Sequence, residues 1–69
     1  MKIEYDKEAN ALYVYFREVE VAESKEIEDG VVVDFDTNGH IVGIEILEVS
    51  NRLTRQELVN VNIENLPVG

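Results

Sequence analysis

Polar and apolar residues alternate with a period of two over much of this chain of 69 residues. The first such stretches, residues 1–6 and 11–16, flank a polar break that ends at Asn10. Because successive side chains of a strand point to opposite faces, these stretches predict a β-hairpin with Asp6 opposite Ala11. A shift by one residue would mix the two faces, so the pattern itself favours this register. Asn10 is expected to adopt a left-handed conformation, which Asn tolerates better than most residues.

The acidic segment 18–29 keeps the alternation, with valine or isoleucine at positions 19, 21 and 27. It predicts a third strand whose even-numbered side chains are exposed. Charges on such a strand also protect a sheet edge against pairing with other chains.

A second hairpin is predicted where two apolar runs, residues 31–35 and 40–47, are joined by Asp36-Thr37-Asn38-Gly39. This linker fits a type I turn followed by a left-handed glycine. Regular pairing back from the turn places Phe35 opposite Ile41 and Asp34 opposite Val42. Gly43 then leaves a hollow that the Phe35 ring is expected to fill.

Regular pairing also divides the second hairpin between two faces, both of them apolar. One predicted face carries Val32, Asp34, Val42, Ile44 and Ile46, and the other carries Val31, Val33, Phe35, Ile41, Gly43, Glu45 and Leu47. Each apolar face needs a cover, and in so short a chain one cover is expected to be another molecule.

Near the C-terminus, Thr54 and Glu57 form a capping-box pattern that predicts the start of a helix over residues 55–58. Alternation over residues 59–63 predicts a last strand, with Pro67 ending the structure. A single helix through Glu64 is the alternative.

These patterns predict one α+β domain over residues 1–69, mostly β. The expected fold is a small antiparallel β-meander of about five to six strands with one short helix near the C-terminus. A chain of this size buries only about 60% of its unfolded surface, and without cysteine it has no disulfide to compensate. We therefore expect a homodimer. The interface candidates are Val31, Val33, Phe35, Ile41 and Leu47.

Fifteen acidic and six basic side chains give a formal net charge of -9. Nucleic-acid binding depends largely on Lys and Arg, so neither DNA nor RNA is an expected partner, and the charge also disfavours anionic membranes. A basic protein partner suits the charge, so an antitoxin-like role is an alternative function. No apolar run approaches the ~20 residues of a membrane span, and the N-terminus lacks a signal-peptide core, so a cytoplasmic location is expected.

Asp34 and Glu45 are the acidic residues set within apolar strand, and paired carboxylates are what acid–base chemistry uses. The regular register sends them to opposite faces, so they are not expected to act together in one subunit. A one-residue shift would bring them together. The remaining hydroxyl, histidine and tyrosine residues form no catalytic set, and the leading expectation is a non-enzymatic interaction module without a cofactor.

A calcium-like pattern begins at Asp34, which opens Asp-x-Asp-x-Asn-Gly and has Glu45 at the twelfth position. The β-branched residues on both sides predict strands, however, whereas an EF-hand needs helices. A divalent-metal-binding protein or enzyme that uses Asp34, Asp36 and Glu45 is therefore kept only as a further alternative. His40, the single histidine, is expected to be an exposed turn residue.

Three blocks together resemble a known family: residues 5–14, residues 24–36, and residues 39–47 with Ser50. The chain is similar over roughly residues 1–52 to the small prokaryotic family named Domain of Unknown Function 2283. It departs from the family pattern at Asn10, where Asp is usual, and at Val49, where Ala is usual. The resemblance implies a compact β-rich cytoplasmic protein of bacteria or archaea. It carries over no activity, cofactor or catalytic residue, although the family pattern includes the positions of Asp34, Gly43 and Glu45.

Overall fold

The computed structural model describes residues 1–64, 66 and 67. Within these residues it contains five strands, one 3₁₀ turn and one short α-helix. The strands are β1 (Lys2–Asp6), β2 (Ala11–Tyr15), β3 (Glu23–Glu28), β4 (Val31–Phe35) and β5 (Ile41–Leu47). The 3₁₀ turn spans Val49–Asn51, and helix α1 spans Arg55–Val59. The predicted fold class, mostly β with a short helix near the C-terminus, is confirmed.

The strands form one antiparallel sheet in the order β1-β2-β5-β4-β3. Strands β3, β4 and β5 follow one another as a meander, and β5 then pairs with β2 of the first hairpin. The connection 16–22 must therefore cross one end of the sheet to reach the far edge. It is held there by the amide of Phe16, which donates to the Val42 carbonyl at 2.8 Å, and by that of Ala22, which donates to the Phe35 carbonyl at 2.8 Å.

The first hairpin has the predicted register, with Asp6 opposite Ala11 and Tyr5 opposite Leu12. Asn10 has a φ of 52°, so its left-handed conformation is also confirmed. Its side chain fastens the loop to the 3₁₀ turn: the Asn10 amide group donates to Ser50 Oγ at 2.9 Å, and the Ser50 backbone N–H donates to Asn10 Oδ1 at 3.2 Å.

The third strand is shorter than predicted, because residues 18–22 belong to the connection and β3 begins at Glu23. Glu23 pairs with Phe35, the last residue of β4, so the residues before it have no further strand residue to pair with. β3 lies at the sheet edge and is exposed along its whole length, with a bulge between Glu26 and Glu28.

The second hairpin has the predicted turn but not the predicted register. Phe35 pairs with Ile41 as expected, whereas Asp34 pairs with Gly43 and not with Val42. The extra residue, Val42, forms a β-bulge and is fully buried. A bulge sets two residues of one strand against one of the other, so every position beyond it in β5 faces the opposite way from a regular ladder.

The C-terminal expectations are only partly met. Thr54 caps α1 with the complete capping box: the Glu57 amide donates to Thr54 Oγ1 at 3.2 Å, and the Thr54 amide donates to Glu57 Oε1 at 2.8 Å. The helix ends at Val59, since Asn60 leaves the helical region with φ -103° and ψ 88°. Residues 60–64 then form neither the predicted last strand nor a continued helix.

Candidate functional site

One side of the sheet is lined by apolar residues and is named here the apolar face. Paired residues of neighbouring strands share a face, so the registers define it as rows across the sheet. The first row is Ile3, Val14, Ile44 and Val33, the second row is Tyr5, Leu12, Ile46 and Val31, and Phe35 and Ile41 complete the face. Charged residues join these rows only on the edge strand β3, where Lys25 Nζ lies 5.6 Å from the centre of the Phe35 ring.

The apolar face has little cover from the described part of the chain. Helix α1 has no buried residue. Ile3, Tyr5 and Ile41 keep between 46% and 51% of their surface exposed. Among residues 1–64, 66 and 67 the buried apolar side chains are few, namely Ala11, Val33, Val42 and Val49, and of these Val33 lies on the apolar face. The molecule measures 38 × 36 × 19 Å and is thus a thin plate with an apolar side.

Four of the five interface candidates lie on this apolar face: Val31, Val33, Phe35 and Ile41. Leu47 lies on the other face, because it pairs with Ala11 beyond the bulge of β5. The bulge also moves Glu45 away from these four residues. The prediction that Glu45 and Leu47 lie on the same face as these four residues is therefore wrong.

The opposite side, named here the tyrosine face, brings Asp34 and Glu45 together. Its rows are Lys2, Tyr15, Gly43, Asp34 and Ser24, followed by Glu4, Tyr13, Glu45, Val32 and Glu26. Asp34 and Glu45 lie on neighbouring strands in neighbouring rows. Their predicted separation onto opposite faces is wrong, and the cause is the one-residue bulge at Val42.

The Asp34 carboxylate is almost fully buried, with 1% of the residue's surface exposed. Its Oδ1 atom accepts a hydrogen bond from the Ser24 hydroxyl at 2.6 Å, whereas Oδ2 has no donor while both acids are ionised. Burial raises the pKa of Glu45 to about 7, and the hydrogen bond to Asp34 and the negative charge of Asp34 act in the same direction. A protonated Glu45 can donate a hydrogen bond to the Asp34 carboxylate, so the pair shares the one proton that Glu45 holds near neutral pH.

Tyr15 covers this pair from strand β2. A Cβ atom on Gly43 would lie 2.8 Å from Tyr15 Cδ1 and 2.9 Å from the Val14 carbonyl oxygen, so the backbone position must be a glycine. The ring that fills the hollow at Gly43 is therefore that of Tyr15, and the prediction of Phe35 is wrong. The Tyr13 and Tyr15 rings are parallel, with centres 6.2 Å apart. Burial, and then the Glu45 carboxylate, raise the pKa of Tyr15.

Asp36 stands apart from this pair at the hairpin turn. Its Oδ1 atom accepts hydrogen bonds at 2.9 Å from the backbone amides of Asn38 and His40, and the bond from His40 is the main reason that its pKa is lowered. In the described residues, no group of three or more His, Cys, Asp or Glu side chains could hold a metal ion. Asp34, Asp36 and Glu45 thus do not converge.

The sequence did not predict that Ser24 and Tyr15 lie beside the Asp34–Glu45 pair. Alternation places Ser24 only on the exposed side of a long acidic strand, and Tyr15 only on the polar face of the first hairpin. The pairing of β2 with β5 links residues 28 to 36 positions apart in the sequence, and alternation within each segment does not reveal it. No helix in residues 1–64, 66 and 67 is long and apolar enough to cross a membrane.

Comparison with known proteins agrees with the resemblance found in the motifs. An uncharacterised protein of Methanocaldococcus jannaschii is 42% identical over 50 residues. The match covers 72% of this chain and 42% of the relative, so this chain spans less than half of that protein's length. No solved structure matches. The model of the family described as "Protein of unknown function (DUF2283)" matches residues 2–50, and the chain therefore belongs to that family.

Proposed function

We propose that this chain is a non-enzymatic interaction module that acts as a homodimer, in which the apolar faces of two copies pack against each other. The observation that carries the proposal is the exposure of the apolar face, on which Ile3, Tyr5 and Ile41 keep between 46% and 51% of their surface accessible in one copy. A compact monomer of 7.9 kDa exposes about 4,400 Å². This chain exposes 5563 Å².

The excess is roughly 1,100 Å². Residues 60–64, 66 and 67, which are exposed and lie outside the strands and the helix, contribute to it together with the apolar face. A standard protein interface buries about 800 Å² on each partner. Packing a second copy on the apolar face supplies the layer that a single sheet lacks.

The chemistry of the apolar face favours a second copy over a charged partner. On the neighbouring strands β1, β2 and β5, the two rows of the apolar face hold no charged side chain. A basic protein would find no carboxylate there. An apolar patch can be complementary to itself, as the shared surface of a two-fold dimer must be. The net charge of -9 is carried by the remaining surfaces and keeps the assembled dimers soluble.

The experiment is sedimentation equilibrium over a dilution series, with Ile3→Glu as the test variant and Ile27→Glu as its matched control. Both residues are already exposed in one copy, at 46% and 64%, so neither change should unfold it. Ile3 lies on the apolar face, whereas Ile27 lies in the bulge of the edge strand β3.

We expect a wild-type dimer, a dissociation constant raised on the order of 100-fold by Ile3→Glu, and a control close to wild type. A folded wild-type monomer at all concentrations would contradict the proposal. Equal effects of the two variants would show that the interface lies elsewhere.

A further inference from the structure

The few basic residues of this acidic chain are distributed unevenly. Four of the six lie within 4.0 Å of a carboxylate, in the pairs Lys2–Glu4, Arg17–Asp36, Lys25–Glu23 and Arg52–Glu28. The other two, Lys7 and Arg55, have no carboxylate that close among the described residues. Within the part of the chain that the structure describes, these two cations are thus available to carboxylates of another molecule.

Lys7 and Arg55 line the same cleft, which has a volume of about 360 Å³. Its other walls are Tyr5, Leu58 and Val59, of which Val59 is 76% exposed. Tyr5 belongs to the apolar face, so the cleft continues that face at its β1 edge. A cleft that combines apolar walls with two cations suits a segment in which carboxylates alternate with apolar side chains.

The chain itself contains such a segment, Glu18-Val19-Glu20-Val21 in the connection 16–22. The two valines are 41% and 39% exposed, and among the described residues neither glutamate has an ion pair or a side-chain hydrogen bond. In an extended chain, residues two apart point the same way about 7 Å from each other. Both carboxylates can therefore face the two cations of the cleft.

A chain cannot place this segment in its own cleft. The connection 16–22 crosses the end of the sheet that holds Phe35 and Val42. The cleft lies at the other end, where β1 finishes at Asp6 and Lys7 follows. Strands of five to seven residues separate these ends by roughly 16–23 Å.

We propose that the Lys7–Arg55 cleft of one copy binds the segment 18–21 of a second copy, and that the second copy returns the same contact. This inference rests on the proposed homodimer and names the polar contact that fixes its orientation. In a two-fold dimer each contact occurs twice, so four carboxylates meet four cations at the edge of the apolar interface.

The test exchanges the charges of the two partners. The cleft variant combines Lys7→Glu with Arg55→Glu, and the segment variant combines Glu18→Lys with Glu20→Lys. Each variant alone places like charges at both contacts of its homodimer, so its dissociation constant should rise at least about ten-fold. A heterodimer of the two variants restores both contacts. At one contact the glutamates in the cleft of the first chain meet the lysines in the segment of the second chain, and at the other contact the native cleft of the second chain meets the native segment of the first.

Native mass spectrometry of an equimolar mixture measures the pairing. We expect the heterodimer to exceed clearly the half that random pairing gives. A control mixture carries the same charge changes outside the cleft and the connection 16–22, with Lys2→Glu and Arg52→Glu in one chain and Glu26→Lys and Glu48→Lys in the other. It should pair close to randomly.

The possible failures are distinguishable. A wild-type monomer would overturn the homodimer and this inference with it. A wild-type dimer whose affinity neither variant changes would overturn the cleft contact alone. A control mixture that favours the heterodimer as strongly would assign the effect to overall charge and would equally overturn it.

Discussion

Replacing Glu45 by glutamine tests the shared proton directly. The glutamine side chain has nearly the same size and can donate an N–H to Asp34 Oδ2 at every pH, whereas Glu45 can donate only while it is protonated. The pH dependence of stability should therefore differ between the two proteins, even if their stabilities coincide under acidic conditions.

The sign follows from the direction of the pKa shift. Folding raises the pKa of Glu45 from 4.5 to about 7. Below the unfolded value, both states hold the proton and the folded state keeps its full stability. Between the two values the unfolded state loses the proton first, so the free energy of unfolding falls by about 1.4 kcal/mol per pH unit. Above the folded value the total loss is about 1–3 kcal/mol, because Glu45 is only partly buried and solvent screens part of the effect. The Glu45→Gln variant does not suffer this loss.

The assay is urea unfolding of both proteins from about pH 4 to pH 8, at one fixed protein concentration because a dimer's stability depends on it. The difference in stability between variant and wild type should grow in favour of the variant by about 1–3 kcal/mol over this range. The control is Glu26→Gln, the same change on the same face but at an exposed edge position. Its difference from wild type should stay constant with pH. A constant difference for Glu45→Gln as well would refute the shared proton.

Three further substitutions test single contacts, the first two by urea unfolding and the third by amide exchange. Gly43→Ala should cost about 1–3 kcal/mol, because its new Cβ would lie 2.8 Å from Tyr15 Cδ1 and 2.9 Å from the Val14 carbonyl oxygen; a cost below about 0.5 kcal/mol would show that both the ring and the backbone of β2 can shift. Asn10→Ala should cost about 1–2 kcal/mol, since it removes both side-chain bonds to Ser50 and places alanine at φ 52°, and an unchanged midpoint would contradict this. Thr54→Ala should lose about 1 kcal/mol from α1, seen as faster amide exchange in the helix without a change in the sheet.

The sequence predicted best those features that neighbouring residues determine. The first hairpin is set by its loop length and by alternation over five residues on each side. The second turn is set by Asp36, which accepts two backbone amides, and by Gly39, which has a φ of 80°. The capping box of α1 is likewise formed by residues three apart. Each of these features needs only short-range interactions.

The bulge at Val42 could not be predicted in the same way. Both faces of the hairpin are apolar around this position. A regular ladder and a shifted ladder therefore leave similarly apolar faces, and the alternation does not favour either register. What distinguishes them is the surroundings of Gly43, which lies beneath Tyr15 of a strand that is distant in the sequence. The predicted last strand failed for a related reason. Alternation from Val59 to Ile63 shows only that a strand is possible, and no strand of the described sheet pairs with it.

The same bulge relates the two surfaces of the molecule. With a regular ladder, Glu45 would share a face with Val31, Val33 and Phe35, and a dimer formed there would bury an ionisable group at its centre, which is costly. The extra residue moves Glu45 to the tyrosine face beside Asp34 and brings Ile44 and Ile46 to the apolar face. The carboxyl pair and the proposed interface are therefore separated by the thickness of the sheet. It follows that Glu45→Gln should change the pH dependence of unfolding while the dissociation constant of the folded dimer stays the same, and a coupled change in both would place the interface on the tyrosine face.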